Sequence, residues 1–412
     1  MPQISFVNLL IVATVAVLAP LLLGYLPRLR LPAVVVEIVA GVVLGPSVLG
    51  WVQIDLPVQI LAVLGLAFLL FLAGLEIDLR TLRGHALALA VLGYGLTLVL
   101  GVAIGVGLGA VGWTRSPLLI AIALSATSLG LVVPVLRDAG QVDGVIGQTI
   151  IASSTVADFA ATVLLTLFFS ASGRGAGSTL VLLAIFAGLV VTVGLLLTQV
   201  GRSMRLGMVL VRLQDTIAEI RVRMSVALLI GFVALAERLG LETILGAFLT
   251  GAVVSLVDRD SASHPHFRIK LDAIGYGFLV PVFFVASGVQ LDLQGLLAEP
   301  LALLRVPVFL LALLLVRGLP ALLYLSDLGR HAAIAAGLLQ ATSLPFLVTA
   351  ATIGMQVGTI SSVTGAALIC AGLLSVVIFP TTALSRLRER RHPSASSTPA
   401  SPSDASAHSE VM

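Results

Sequence analysis

Long apolar runs separated by short polar turns fill the chain almost from end to end. About 20 apolar residues cross a bilayer, and that length divides the chain into about 13 helices, expected near 5–26, 33–51, 57–78, 86–111, 117–136, 144–169, 178–200, 223–240, 242–257, 271–291, 301–326, 331–353 and 358–383. Only a short polar turn around Glu237, Arg238 and Glu242 separates the eighth from the ninth; read as one unit, the two reduce the count to 12. The pattern therefore predicts an all-α polytopic membrane protein.

Loop charge agrees with the odd count. With the N-terminus outside, one set of loops and the C-terminal end carry 18 of the 23 basic residues, from Arg28 and Arg30 through Arg137, Arg268 and Lys270 to Arg391. The other set carries only Arg115, Arg174 and Arg238, while Arg305 and Arg317 fall inside the eleventh segment. Positive loops mark the cytoplasmic side, so the C-terminus is expected there as well. Residues 201–223 form the longest cytoplasmic connection and are expected to hold an amphipathic surface helix. A transmembrane domain is expected over 1–385, followed by a disordered cytoplasmic tail over 386–412, rich in Ser, Ala and Pro towards its end. No cleavable leader is expected, because the first apolar run lacks a preceding basic region and an obvious cleavage site. No soluble nucleotide-binding domain is expected after the last segment.

Composition narrows the function. The chain is 58% hydrophobic and 10% charged, where soluble domains carry about 25% charge, so a soluble fold is excluded. Its 40 glycines and 18 prolines suit membrane helices that pack closely or break. The net charge of +3 is spread over loops and forms no basic domain for nucleic acid. Cys370 is the single cysteine, which rules out an internal disulfide and a thiol metal cluster. With no His-Glu-x-x-His and no Gly-x-Ser-x-Gly, the chain is not expected to be an enzyme.

Two ionisable groups then stand out. Asp158 lies in the middle of the sixth segment, where insertion of a charge costs roughly 2.5–3.5 kcal/mol, so it is read as functional and in need of a partner. Arg317, in the middle of the eleventh segment, is the expected partner. A repeat frames them. Ala126-Thr127-Ser128-Leu129 in the fifth segment recurs as Ala341-Thr342-Ser343-Leu344 in the twelfth, followed by Gly130 and Pro134 in one copy and Pro345 in the other. The copies run in opposite directions through the membrane, as in an inverted-topology repeat with two discontinuous helices. Ser and Thr hydroxyls satisfy backbone groups freed by a break. Crossing two opposed breaks brings like ends together, and one carboxylate and one cation would balance them.

The residues that carry a resemblance run in order: Glu37-Ile-Val-Ala-Gly-Val-Val-Leu-Gly-Pro-Ser, Leu69-Leu-Phe-Leu-Ala-Gly-Leu-Glu-Ile-Asp, Ala126-Thr-Ser-Leu-Gly-Leu-Val-Val-Pro-Val-Leu, Asp158, Pro281-Val-Phe-Phe-Val-Ala-Ser-Gly and Arg317-Gly-Leu-Pro. Together they resemble the monovalent cation/proton antiporter superfamily in its second branch, which includes bacterial sodium/proton and potassium/proton exchangers. The resemblance spans about residues 5–385. It implies transport helices near 86–170 and 271–383 moving against dimerisation helices near 5–51 and 178–257, in a homodimer in a bacterial inner or plasma membrane. By resemblance Asp158 binds the alkali cation and the proton, Thr127 and Ser128 lie near the ion, and Arg317 neutralises the crossed helices. Ser154, one turn before Asp158, would add an oxygen. No cofactor is implied beyond the transported Na+ or K+ and H+.

The sequence departs from the family in one place. Many relatives have Asp, Asn or Gln before the binding aspartate; here Ala157 stands there and can neither ligate nor carry charge. One acid and a guanidinium that does not release its proton suggest one cation exchanged for one proton, without net charge movement. Burial penalises the ionised form of Asp158 while Arg317 and nearby dipoles favour it, so proton and cation compete at one group. Glu37, Glu76, Gln340, Thr342 and Ser343 are candidate pathway residues. His85, His264, His266, His331 and His392 lie at loops or ends, Phe283 and Phe284 are read as packing, Arg305 as reaching the outer interface, and Asp272 as near the cytoplasmic boundary. A sodium-coupled symporter of a small anionic solute and a cation channel remain as alternatives.

Overall fold

The computed structural model describes residues 5–25, 31–76, 84–138, 140–142, 144–169, 176–201, 219–257, 265–298 and 300–388. Within them the chain is helical: α1 (Val7–Tyr25), α2 (Ala33–Leu44), α3 (Leu56–Leu75), α4 (Gly84–Ala110), α5 (Pro117–Ser125), α6 (Leu129–Asp138), α7 (Val145–Phe169), α8 (Ala176–Gly201), α9 (Ile220–Leu239), α10 (Thr243–Val257), α11 (Pro265–Ile274), α12 (Val280–Val289), α13 (Leu293–Ala298), α14 (Pro300–Leu303), α15 (Arg305–Leu313), α16 (Leu325–Leu328), α17 (Arg330–Gln340), α18 (Pro345–Gln356) and α19 (Ser362–Arg388). Among the described residues eight helical runs are apolar and long enough to cross a membrane, and α17 with α18 makes one more as a pair bent by 41°. The expected amphipathic helix over 201–223 falls mostly outside the described residues. So does the tail beyond 388.

Local chemistry sets the boundaries. The Asp55 carboxylate accepts from the Val58 N–H at the start of α3, and the Ser116 hydroxyl accepts from the Leu119 N–H at the start of α5. Gly240, at φ 71°, ends α9 in the left-handed region and turns the chain into α10. The doubtful eighth and ninth segments are therefore two helices, not one.

Proline shapes the two irregular spans. A proline inside a helix has no N–H for the carbonyl four residues before it and crowds that carbonyl. Pro281 follows a π-helical segment over Gly275–Leu279 that joins α11 to α12. Pro320 lies just beyond a second, Leu314–Gly318, which passes into a 3-10 stretch over Leu319–Tyr324. Widened turns of this kind absorb the lost hydrogen bond and re-aim side chains. The second one carries Arg317.

Glycine decides the packing between helices. A Cβ on Gly251 of α10 would stand 2.0 Å from the Phe71 carbonyl oxygen, and one on Gly74 of α3 would stand 2.1 Å from that of Phe248. Gly41 and Gly288 bring α2 against α12 in the same way. Without a hydrophobic driving force between helices in lipid, such close approaches carry much of the association. Gly251→Leu should therefore destabilise the protein by about 1–3 kcal/mol or more, as overpacking does. The check is its thermal unfolding midpoint in detergent beside Gly95→Ala, a position with open space around it. An unchanged midpoint for Gly251→Leu would refute the close approach.

These contacts group the tenth segment differently from expectation. α12 lies along α2 and α3, with the Leu279 and Val285 carbonyls against Gly65 and Gly41, rather than among the other transport helices. The same neighbourhood includes α9 and α10. In the other, α4 packs on α5 and α7, and α19 packs on α15, α17 and α18. Chain order placed residues 271–291 with the helices that follow them; the absence of side chains on α2 and α3 where α12 crosses draws them the other way.

Candidate functional site

Both breaks fall on the repeated residues. α5 ends at Ser125 and α6 begins at Leu129, while α17 ends at Gln340 and α18 begins at Pro345. The two gaps are bonded to each other. The Ser128 N–H donates to the Thr342 carbonyl at 3.0 Å, the Leu344 N–H donates to the Ser128 hydroxyl at 3.1 Å, and the Thr127 hydroxyl donates to the Gln340 carbonyl at 2.7 Å. Ser375 of α19 completes the second gap, accepting from the Ser343 N–H at 3.2 Å and donating to the Ser343 carbonyl at 3.1 Å. Backbone groups that lipid could not satisfy are thereby paired within the protein.

Thr127 joins the two charges. Its N–H donates to Asp158 Oδ1 at 2.8 Å. Its hydroxyl accepts from Arg317 Nε at 2.9 Å and from Arg317 Nη2 at 2.6 Å. With one proton given to Gln340 and two N–H groups received, that hydroxyl has no capacity left for an ion. Arg317, 1% exposed, also directs Nη1 towards the Thr97 hydroxyl at 3.5 Å. No ion pair within 4.0 Å joins Arg317 to Asp158, so the expected partnership runs through Thr127. The carboxylate sits by the N-terminal end of α6 and the guanidinium by the C-terminal end of α17, the pairing that helix dipoles favour.

Asp158 faces a cavity. Thr127, Ser128 and Thr162 share its wall on the Asp158 side, and Leu69, Phe284 and Tyr276 are among the residues opposite. Thr162, one turn after Asp158, donates its hydroxyl to the Asp158 carbonyl at 2.7 Å. It was missed in the sequence, although its spacing of four places it on the same helical face. Ser154 has the same spacing in the other direction, yet it is fully buried, does not line the cavity and leaves its hydroxyl without a partner. Ala157 is buried in packing as well.

A second, charged cavity adjoins the first, with Leu129 in the wall of both. Glu76, Asp272, Arg137 and Arg268 line it, and Arg268 donates to the Leu75 carbonyl. Glu76 thus lines the cavity next to that of Asp158, and Asp272 stands with it. Glu37 is buried at 4% exposure within α2 and lines neither cavity. The side-chain amide of Gln340 and the hydroxyl of Ser343 are buried without partners, while the Thr342 hydroxyl donates to the Leu338 carbonyl at 3.2 Å. Phe283 and Phe284 pack on each other at 5.2 Å, and Phe284 also borders the Asp158 cavity.

Arg305 lies at the end of the helices expected to face outward, beside the start of α19. It donates to the Thr364 hydroxyl at 2.8 Å and lies over the Trp113 ring at 5.4 Å, which pins it to α19 and the α4–α5 turn. His85 and His331 are exposed, with His85 3.3 Å from Asp327. His264 and His392 lie outside the described residues. Among the described residues no cluster of His, Cys, Asp and Glu could hold a metal ion.

A family model described as sodium/hydrogen exchanger, transmembrane, matches residues 13–386. The chain belongs to the sodium/hydrogen exchanger family. The putative Na+/H+ antiporter YjbQ of Bacillus subtilis (strain 168) is 33% identical over 396 residues, covering 92% of this chain and 63% of that protein. This exchanger-family chain therefore spans less than two thirds of that relative's length. The Na+/H+-K+ antiporter GerN of Bacillus cereus is 30% identical over 278 residues, covering 65% of this chain and 68% of that protein. The solved structure of the sodium proton antiporter MjNhaP1 from Methanocaldococcus jannaschii has the same fold, with a TM-score of 0.64 at 18% identity over 93% of this chain and 98% of that one.

Proposed function

We propose that the chain exchanges a monovalent alkali cation, Na+ or K+, for a proton across a bacterial plasma membrane. The observation that carries this reading is that Asp158 is the only carboxylate lining the central cavity among the described residues. One ionisable oxygen pair in an otherwise uncharged wall can hold a cation or a proton but not both, and that competition is the exchange. The printed names of the relatives, one a putative Na+/H+ antiporter and one a Na+/H+-K+ antiporter, support the same ions. The cation's ligands are the Asp158 carboxylate and, on the same wall, the Ser128 and Thr162 oxygens with water; Thr127 and Arg317 hold the carboxylate in place.

Alternating access is supported by the two helix groups facing the cavity, α1–α3 with α9–α12 on one side and α4–α7 with α15–α19 on the other. The charged vestibule lies at the arginine-rich end, which is the cytoplasmic side in this reading. At the opposite end a hydrogen bond from the Ser362 hydroxyl to Asp292, at 2.8 Å, ties the start of α19 to the α12–α13 turn. The family resemblance supports a homodimer whose interface uses the helices near 5–51 and 178–257.

With one acid in the cavity and a guanidinium that keeps its proton, exchange is one for one and electroneutral. The test is the full chain in liposomes with a trapped pH dye, given sodium and then potassium gradients while the membrane potential is clamped or reversed. Proton flux should follow the cation and ignore the potential. Flux driven by the potential would overturn the one-for-one stoichiometry. Steady current without obligatory proton exchange would overturn antiport itself.

A further inference from the structure

We infer that the Tyr276 hydroxyl is a cation-contacting group on the ion path, seated on Gly130 at the passage between the charged vestibule and Asp158; this rests on the antiport reading above. Of the polar side chains lining the Asp158 cavity, Thr127, Ser128, Asp158 and Thr162 all come from the fifth and sixth segments. Among the described residues Tyr276 is the one polar side chain that the facing helices contribute, against Leu69, Leu70, Phe248 and Phe284 from the same side. Among the described residues none takes a hydrogen bond from its hydroxyl, and the residue is 42% exposed, which leaves the oxygen open to an ion or its water.

Its place in the fold gives it this role. Tyr276 lies on the π-helical segment Gly275–Leu279, and widened turns of this kind gather at functional positions. Gly275 packs this segment against α3, with the Leu72 and Phe68 side chains over the position its Cβ would take. Arg268 and Asp272, spaced four residues apart ahead of Tyr276, line the vestibule, so one helical face runs from the charged mouth to the phenol. Opposite it, the first turn of α6 carries glycine at 130. A Cβ at Gly130 would stand 2.9 Å from the Tyr276 hydroxyl oxygen and meet no other atom within 4 Å. The space left by that missing methyl is occupied by the phenol alone. A cation leaving the vestibule sheds water as it enters the apolar throat at Leu129, and the phenol oxygen replaces part of that shell before the carboxylate takes the ion.

The test is cation-driven proton flux in liposomes, with sodium chloride and potassium chloride as separate probes, for the wild type, Tyr276→Phe, Gly130→Ala, Tyr276→Ala and the Tyr276→Ala/Gly130→Ala pair. Tyr276→Phe keeps the ring and removes the oxygen; its half-saturating cation concentration should rise about fivefold to tenfold, with the maximal rate kept within about twofold, as losing one typical contact of about 1 kcal/mol predicts. Gly130→Ala should lower the rate, and the double variant should recover it relative to Gly130→Ala, because removing the phenol removes the clash. A Tyr276→Phe protein that exchanges with unchanged half-saturation overturns the inference, as does a Gly130→Ala defect that persists in the double variant. A role in packing alone would change thermal stability without this split between half-saturation and rate. Failure here leaves Asp158-dependent exchange intact in the wild type, whereas a wild type without such exchange overturns the antiport reading and this inference with it.

Discussion

Asp158→Asn should lower cation-driven proton flux by about 100-fold or more in a protein that still folds, because an amide neither carries the charge that holds a cation nor takes up and releases a proton. The geometry separates the two consequences. The Asn oxygen can accept the Thr127 N–H that Asp158 Oδ1 accepts at 2.8 Å, so the crossing of the breaks keeps its anchor. The cavity wall loses its only acid among the described residues. Asp158→Glu keeps the charge but moves it by one methylene into the cavity, and partial flux with a raised half-saturating cation concentration is expected. In the wild type, proton and cation compete for one group, so that concentration should rise as pH falls. Liposome flux measured with thermal unfolding of the same samples checks all three. Near-normal exchange in Asp158→Asn would remove the carboxylate from the cycle and end the proposed mechanism.

Much of this arrangement was legible because its ingredients are rare in a membrane span. A carboxylate and a guanidinium in the middle of apolar segments stand out, and Asp158 and Arg317 do lie at the crossing. The repeated Ala-Thr-Ser located both breaks, since small hydroxyl residues beside glycine and proline suit a helix that must stop in lipid. What the chain could not display was how these parts meet. Asp158 and Arg317 read as partners because opposite charges in lipid need one another; Thr127 stands between them, and a bridge through one residue's backbone on one side and its hydroxyl on the other has no signature in spacing. Ser154 and Thr162 both sit one turn from Asp158, but four residues advance a helix about 40° beyond a full turn, which suffices to put one hydroxyl inside the packing and the other on the cavity wall. Tyr276 had a faint signal, a tyrosine between two glycines ahead of Pro281, and only the fold shows that its phenol faces Gly130. The packing of the tenth segment on α2 and α3 had no signal in the sequence for a related reason. Chain order favours neighbours in sequence, whereas Gly41, Gly65 and Gly288 act across space.

Replacing Arg317 should cost stability as well as transport, and the way its effect couples to Thr127 tests the bridge. The guanidinium is 1% exposed and gives two N–H groups to one hydroxyl. Arg317→Ala leaves that hydroxyl short of both donors and removes the cation beside the C-terminal end of α17; a loss of about 3–5 kcal/mol is expected, as when one member of a buried charged network is removed. Arg317→Lys keeps the charge but not the planar fork, so it should recover part of the stability and little of the geometry that holds Thr127. Thr127→Val removes the shared oxygen while keeping the shape and the N–H to Asp158. If the bridge is real, Thr127→Val and Arg317→Lys together should cost less than the sum of the single changes by about 1–3 kcal/mol, the coupling found between residues in one hydrogen-bond network. Thermal unfolding in detergent measures the stability side. Liposome flux measures whether Asp158 still binds in the right place. Strictly additive losses would mean that Arg317 supports the crossed helices by charge alone, and the distance between the two charges would then matter more than the threonine between them.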